Sequence, residues 1–163
     1  MDNTYSPPQS PFFTARRNGL IGGLLLIGYF MVSSISGIYG DKSLLTSLIN
    51  IVVTTGIFLL ISHKSITTYR DEELNGVISF NQGFKVAFFA ALIATLIFVV
   101  YSYIFMKFID RSILVELREA AYIALEENNM PDDQYEAAEK MLNLFVGPGV
   151  IAVSNFFINL VWG

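Results

Sequence analysis

Twenty-one consecutive residues, Val86 to Met106, carry no charge, and Lys85 and Lys107 stand just outside the run. As a helix at about 1.5 Å per residue this stretch crosses the roughly 30 Å hydrocarbon core of a bilayer, where every main-chain polar group must find its partner within the segment. A soluble core helix needs no such length without interruption. The rest of the chain is therefore read as packing around this span.

Two more runs of the same kind precede it. The first, from about Asn18 to Tyr39, contains no charge and is rich in glycine. In lipid, glycine allows close approach of two helix backbones, and Gly19 and Gly23 stand at small-x-x-x-small spacing, as do Ser33 and Gly37. The second runs from about Leu44 to Ser62 after a short Gly40-Asp41-Lys42 turn, so the two are expected to form an antiparallel hairpin. Asn50, whose amide cannot easily bond back to its own helix, is expected to face a neighbour. On the third span Ala87, Ala90, Ala91 and Ala94 make a thin face suited to a partner helix.

Residues 1–17 read as a disordered leader, because Pro7, Pro8 and Pro11 oppose a continuous helix and there is little to bury. His63 to Lys85 reads as a polar connection, with a short helical turn over Tyr69 to Leu74 ended by Asn75 and Gly76. Beyond Lys107, residues 110–140 form an acidic helical insert. Leu114, Leu117, Ala121, Ala124 and Leu125 recur at steps of three and four, and a break near Asn128 is followed by Pro131-Asp132-Asp133, a favourable helix start. A fourth span is placed at about 141–163, interrupted by Gly147-Pro148-Gly149, where it either kinks or begins. The run stops at Gly163 without a basic tail, which reads as a last span that originally continued.

The expected fold is thus all-α: a polytopic membrane bundle of four transmembrane helices over 18–163, with an amphipathic insert between the third and fourth. Topology is nearly balanced. Arg16, Arg17, Lys64, Arg70 and Lys85 fall on one side, and Lys42, Lys107, Arg111, Arg118 and Lys140 on the other. The arginine pair close to the first span favours an inside amino terminus.

A net charge of −4 offers no basic stripe for nucleic acid. The chain has no cysteine and one histidine, His63, which sits at a span end. Thiolate metal sites are excluded, and neither a metalloprotease motif, a phosphate-cradling loop nor a nucleophile elbow is present. Arg70-Asp71-Glu72-Glu73 and Asp132-Asp133 read as solvated runs. No enzyme activity and no cofactor is expected. Two functional classes remain: a non-enzymatic interaction or structural role, with Leu117 and Leu125 as partner surface, or a small channel or transporter subunit. The second would use a polar seam of Asn50, Gln82, Asn155 and Asn159, although no ionisable residue lies in the middle of an apolar run. The expected partners are the lipid bilayer and either a second copy or another membrane protein.

The lead-in Ile78-Ser79-Phe80-Asn81-Gln82-Gly83-Phe84-Lys85, the exit Tyr101-Ser102-Tyr103-Ile104-Phe105-Met106-Lys107-Phe108-Ile109-Asp110, the Arg17-Asn18-Gly19 start and the acidic insert together resemble the bacterial membrane proteins of domain of unknown function 4199. The resemblance covers nearly the whole chain. It implies a four-span, multi-pass inner-membrane protein typical of the Bacteroidota, with no assigned activity and no catalytic residue to carry over. Members generally finish the last span with more apolar residues and a basic end, from which this chain departs at Gly163.

Overall fold

A computed structural model describes residues 10–38, 43–127 and 131–162, without the side chains of residues 132, 133, 155 and 159–162. The described chain is helical: α1 (Pro11–Ile35), α2 (Leu44–Glu73), α3 (Phe80–Ile104) running into a π turn (Phe105–Ile109), α4 (Ser112–Glu127), α5 (Asp132–Phe145) and α6 (Pro148–Trp162). Three helical stretches, Pro11–Ile35, Leu44–Glu73 and Phe80–Ile109, are long and apolar enough to cross a membrane. A fourth crossing is added if the bent pair Gln134–Phe145 and Pro148–Ile158 is a single span. Residues 1–98 with 159–163 form one compact unit and residues 99–158 a second.

Three helix boundaries differ from the sequence reading, one of them the start of α3 at Phe80, inside the expected polar connection. α1 starts at Pro11, so residues 11–17 are helix and not leader; residues 1–9 lie outside the described residues. Proline excludes itself from a helix interior but suits the first position, where its missing N–H had no helical acceptor. α2 does not stop near Ser62 but continues through the polar segment to Glu73, for 30 residues in all. Nothing between His63 and Glu73 breaks a helix, and the hydroxyls are satisfied along it: Ser65 donates to the Ile61 carbonyl at 2.7 Å and Thr67 to the His63 carbonyl at 3.0 Å. The helix ends where expected. Asn75 and Gly76 take φ of 51° and 89°, and the Gly76 N–H closes back on the Arg70 carbonyl at 2.9 Å.

α3 opens with a capping box. Gln82 accepts from the Ser79 N–H at 2.9 Å and from its hydroxyl at 2.8 Å, while the Ser79 hydroxyl oxygen faces the Gln82 N–H at 3.4 Å. Ser43 caps α2 by accepting from Thr46 N–H at 3.3 Å.

In the first unit the chain runs up, down and up. Tyr29 bonds Asn50 while Arg17 lies across from Lys64, which makes α1 and α2 antiparallel. Phe12 meets Phe89 and Phe30 meets Phe98, which makes α1 and α3 parallel. The interior combines small side chains with a few large ones, Leu26, Phe58, Ile61 and Tyr69 among them, and the inward face of α1 is mostly small. On α1 the buried positions are Ala15, Asn18, Gly19, Gly22, Gly23, Leu26, Phe30 and Ser33, a stripe at three and four residue steps. Leu20, Ile21, Leu24, Leu25, Met31, Val32 and Ile35, from the same helix, are exposed. Small residues inside and large aliphatic ones outside reverse the order of a water-soluble helix, and this is stable where lipid covers the outer face.

The closeness of α1 to its neighbours is measured at its glycines. A Cβ added at Gly19 would sit 2.8 Å from the Ala90 carbonyl oxygen, at Gly22 2.1 Å from Ile61 Cδ1, and at Gly23 2.8 Å from Ile97 Cβ. Ala90, Ala91 and Ala94 of α3 are buried in the same core, with Val86, Phe58 and Ile61.

In the second unit no residue of α4 is buried, and Leu142 is buried on α5. Tyr122 joins the two helices by donating to Glu139 at 3.3 Å. α5 does not pass straight into a last span. It ends at Phe145, and α6 begins at Pro148 with a 72° bend between the two stretches. The proline again takes a first helical position, which turns the expected interruption into a new helix start.

Candidate functional site

The structure distributes the residues singled out by sequence over several places. Gly19 and Gly23 of the packing face lie directly against α3, at Ala90, Ile93 and Ile97. Ala90, Ala91 and Ala94 are buried and Ala87 is half-buried.

Of the polar-seam residues, Asn50 and Gln82 have described side chains, and each has its own partner. Asn50 accepts a hydrogen bond from the Tyr29 hydroxyl, beside a cleft of about 190 Å³ that is also lined by Ser33, Thr54 and Phe98. Gln82 is engaged in the capping box at the start of α3, where its amide oxygen serves the helix end. Asn155 and Asn159 fall on α6, and their side chains lie outside those described. Leu117 on α4 is exposed and Leu125 is half-buried.

Sequence reasoning missed two clefts. The first, of about 360 Å³, lies between the start of α1 and the end of α2 and is lined by Phe13, Arg17, Asn18, Lys64, Glu72 and Glu73. Its charges come from both helices and are of both signs. Asn18 is 7% exposed and its amide nitrogen has no hydrogen-bond partner among the described residues. The signal for this cleft was the long α2: only when the helix continues past His63 do Lys64, Glu72 and Glu73 reach the level of Arg17.

The second cleft, of about 260 Å³, lies in the second unit where α3 ends. Met106, Leu114, Val115 and Pro148 give it apolar walls, and Lys107, Arg111 and Arg118 give it three cations. Each cation is held in place. The Lys107 ammonium donates to the Tyr103 hydroxyl at 3.0 Å and stands 5.3 Å from the ring centroids of Tyr103 and Phe108. Arg111 Nε donates to the Lys107 carbonyl at 3.2 Å, and Arg118 Nε to the Val146 carbonyl at 3.3 Å. Arg70 pairs with Asp71 and Lys140 with Glu136, whereas none of these three cations forms an ion pair with a described carboxylate. Nearby Asp110 points its carboxylate at the start of α4, accepting from Ser112 N–H at 2.9 Å. Hydrogen bonds from the Ser112 side chain and main chain hold its pKa below the usual carboxylate value, against a smaller opposing effect of burial.

No group of three or more metal-ligating side chains occurs among the described residues. What the helices define is an all-α, multi-pass membrane protein whose first three long apolar helices share a core of alanines and larger apolar side chains, with α1 glycines at close contacts. The family model described as "Protein of unknown function (DUF4199)" matches residues 17–163, and the chain belongs to that family. No curated protein and no solved structure was found to match it.

Proposed function

We propose that this protein acts by interaction or as a structural element of a bacterial inner membrane, of the Bacteroidota, and not as an enzyme. In this reading it has four crossings, the last formed by the bent α5–α6 pair, and α4 with α5 is the amphipathic insert that meets a second copy or another membrane protein. The observation that carries the reading is α4, where none of the sixteen residues is buried and Leu117 and Ile123 are open large apolar side chains. Unburied apolar residues on a helix outside the long apolar spans are available to a protein partner. The dense contact at Gly19, Gly22 and Gly23 supports the same reading, because it fills the space between α1, α2 and α3.

The test is crosslinking in native membranes followed by identification of the captured chain. Loss of that product in Leu117→Glu with Leu125→Glu supports the proposal, and an unchanged product overturns it. The channel or transporter alternative rests on Asn50 beside its cleft. It expects solute flux in proteoliposomes that falls in Asn50→Leu and Asn155→Leu.

A further inference from the structure

We propose that the cleft of Met106, Lys107, Arg111, Leu114, Val115 and Arg118 is a binding site for the phosphate of an anionic phospholipid headgroup, with the first part of an acyl chain along its apolar wall.

Three observations meet there. The first is charge. The chain as a whole is acidic at −4, yet three of its ten Lys and Arg residues line one cleft of about 260 Å³, and none is paired with a described carboxylate. Like charges lining one cleft favour an anion between them. The second is preorganisation. Arg111 and Arg118 each spend Nε on a main-chain carbonyl, which fixes the guanidinium planes and leaves terminal N–H donors for a phosphate. Lys107 is steadied by the Tyr103 hydroxyl and by two aromatic rings. The third is location. The cleft opens at the end of the Phe80–Ile109 membrane stretch, where headgroups lie, and its floor is Met106, which is 2% exposed, flanked by Leu114 and Val115. A free phosphate has no use for an apolar wall. A lipid uses both halves of the site.

The occupant is thus defined by a phosphodiester with net negative charge on an apolar tail. Zwitterionic lipid presents the same phosphate but adds an ammonium that three cations disfavour.

The experiment uses the full chain, purified and stripped of lipid in detergent, then offered equal amounts of phosphatidylglycerol and phosphatidylcholine, with retained lipid counted by native mass spectrometry. The proposal expects about a tenfold preference for the anionic lipid, which falls to near parity in Arg111→Gln with Arg118→Gln. Arg111→Lys with Arg118→Lys, which preserves charge, should keep most of the preference, and Arg16→Gln should keep all of it. A measurement that needs no variant guards against misfolding: the wild-type preference should shrink as salt rises from about 0.1 M to about 0.5 M. Equal retention of the two lipids by wild-type protein would overturn the proposal, as would a preference indifferent to salt or to the glutamine pair. Displacement of the lipid by inorganic phosphate at millimolar concentration would overturn the lipid assignment and make free phosphate the ligand. These outcomes are independent of the crosslinking result, which reads Leu117 and Leu125 and not the cations.

Discussion

The unit formed by α1, α2 and the first part of α3 and the helix α4 of the second unit use their small residues in opposite ways. In the first, glycine and alanine lie at the centre and bring backbones together: Gly19, Gly22, Gly23, Ala90, Ala91 and Ala94 are all buried. In the second, Ala120 and Ala124 of α4 are exposed and no α4 residue is buried. The difference teaches where each part gets its order. Three apolar helices in lipid gain nothing from hiding leucine and must gain from contact, so they select the side chains that permit the closest contact. α4 and α5 are held by sparse links, such as Tyr122 to Glu139 and Arg118 to the Val146 carbonyl, and keep large apolar side chains open.

The sharpest way to break this contrast is at Gly19. A leucine there must displace the Ala90 main chain, because the obstruction is a carbonyl oxygen and not the end of a side chain. Gly19→Leu should destabilise the protein by about 3 kcal/mol or more, read as a lowered unfolding midpoint in detergent. Gly56→Leu, with nothing within 4 Å of its added Cβ, should leave the midpoint unchanged within about 0.5 kcal/mol. If the two variants behaved alike, the close packing of α1 on α3 would be refuted. Next in size is Asn50→Leu, which leaves the Tyr29 hydroxyl without its acceptor and should cost about 0.6 to 1.7 kcal/mol in the same assay. Smaller again is Leu117→Glu, on the open side of α4, expected to stay within about 0.5 kcal/mol while affecting partner capture.

The smallest effect is a pH dependence at the start of α4. The pKa of Asp110 is lowered in the folded chain, so its contribution is fully present above the ordinary carboxylate value and is lost as pH falls through the lowered one. Amide exchange at Ser112 should accelerate, relative to its intrinsic rate, in that acidic window. Asp110→Asn should flatten the response.

Much of the first unit was legible because its signals are local. Uncharged runs mark the crossings, and the Gly19–Gly23 spacing marks a helix face that does meet α3. Asn75 and Gly76 mark a helix end because only residues tolerant of positive φ serve there. The misreadings arose where polarity was taken for the end of a helix. His63 to Glu73 is polar yet helical, since hydropathy tells where lipid stops and not where hydrogen bonding stops. Ser79 and Gln82 carried a readable capping signature, three residues apart before an apolar run, which was passed over in favour of a polar seam. The basic cleft was harder to see. Lys107, Arg111 and Arg118 are spaced for a single helix face, but Asp110 and Arg111 interrupt the helix between α3 and α4, and only the folded chain shows the three side chains lining one cleft.

The π turn over Phe105–Ile109 closes with the Asp110 N–H on the Phe105 carbonyl at 2.9 Å, a loop one residue wider than an ordinary helical turn. Its length is therefore a setting as much as its composition. Inserting a residue into the Phe105–Ile109 segment would swing whatever follows by about 100° around the axis, whereas removing one would let the turn tighten to regular winding and leave that bearing nearly unchanged. After such an insertion Arg111 would leave the side of the helix that Lys107 occupies, so an insertion at this bend should be far less tolerated than a substitution.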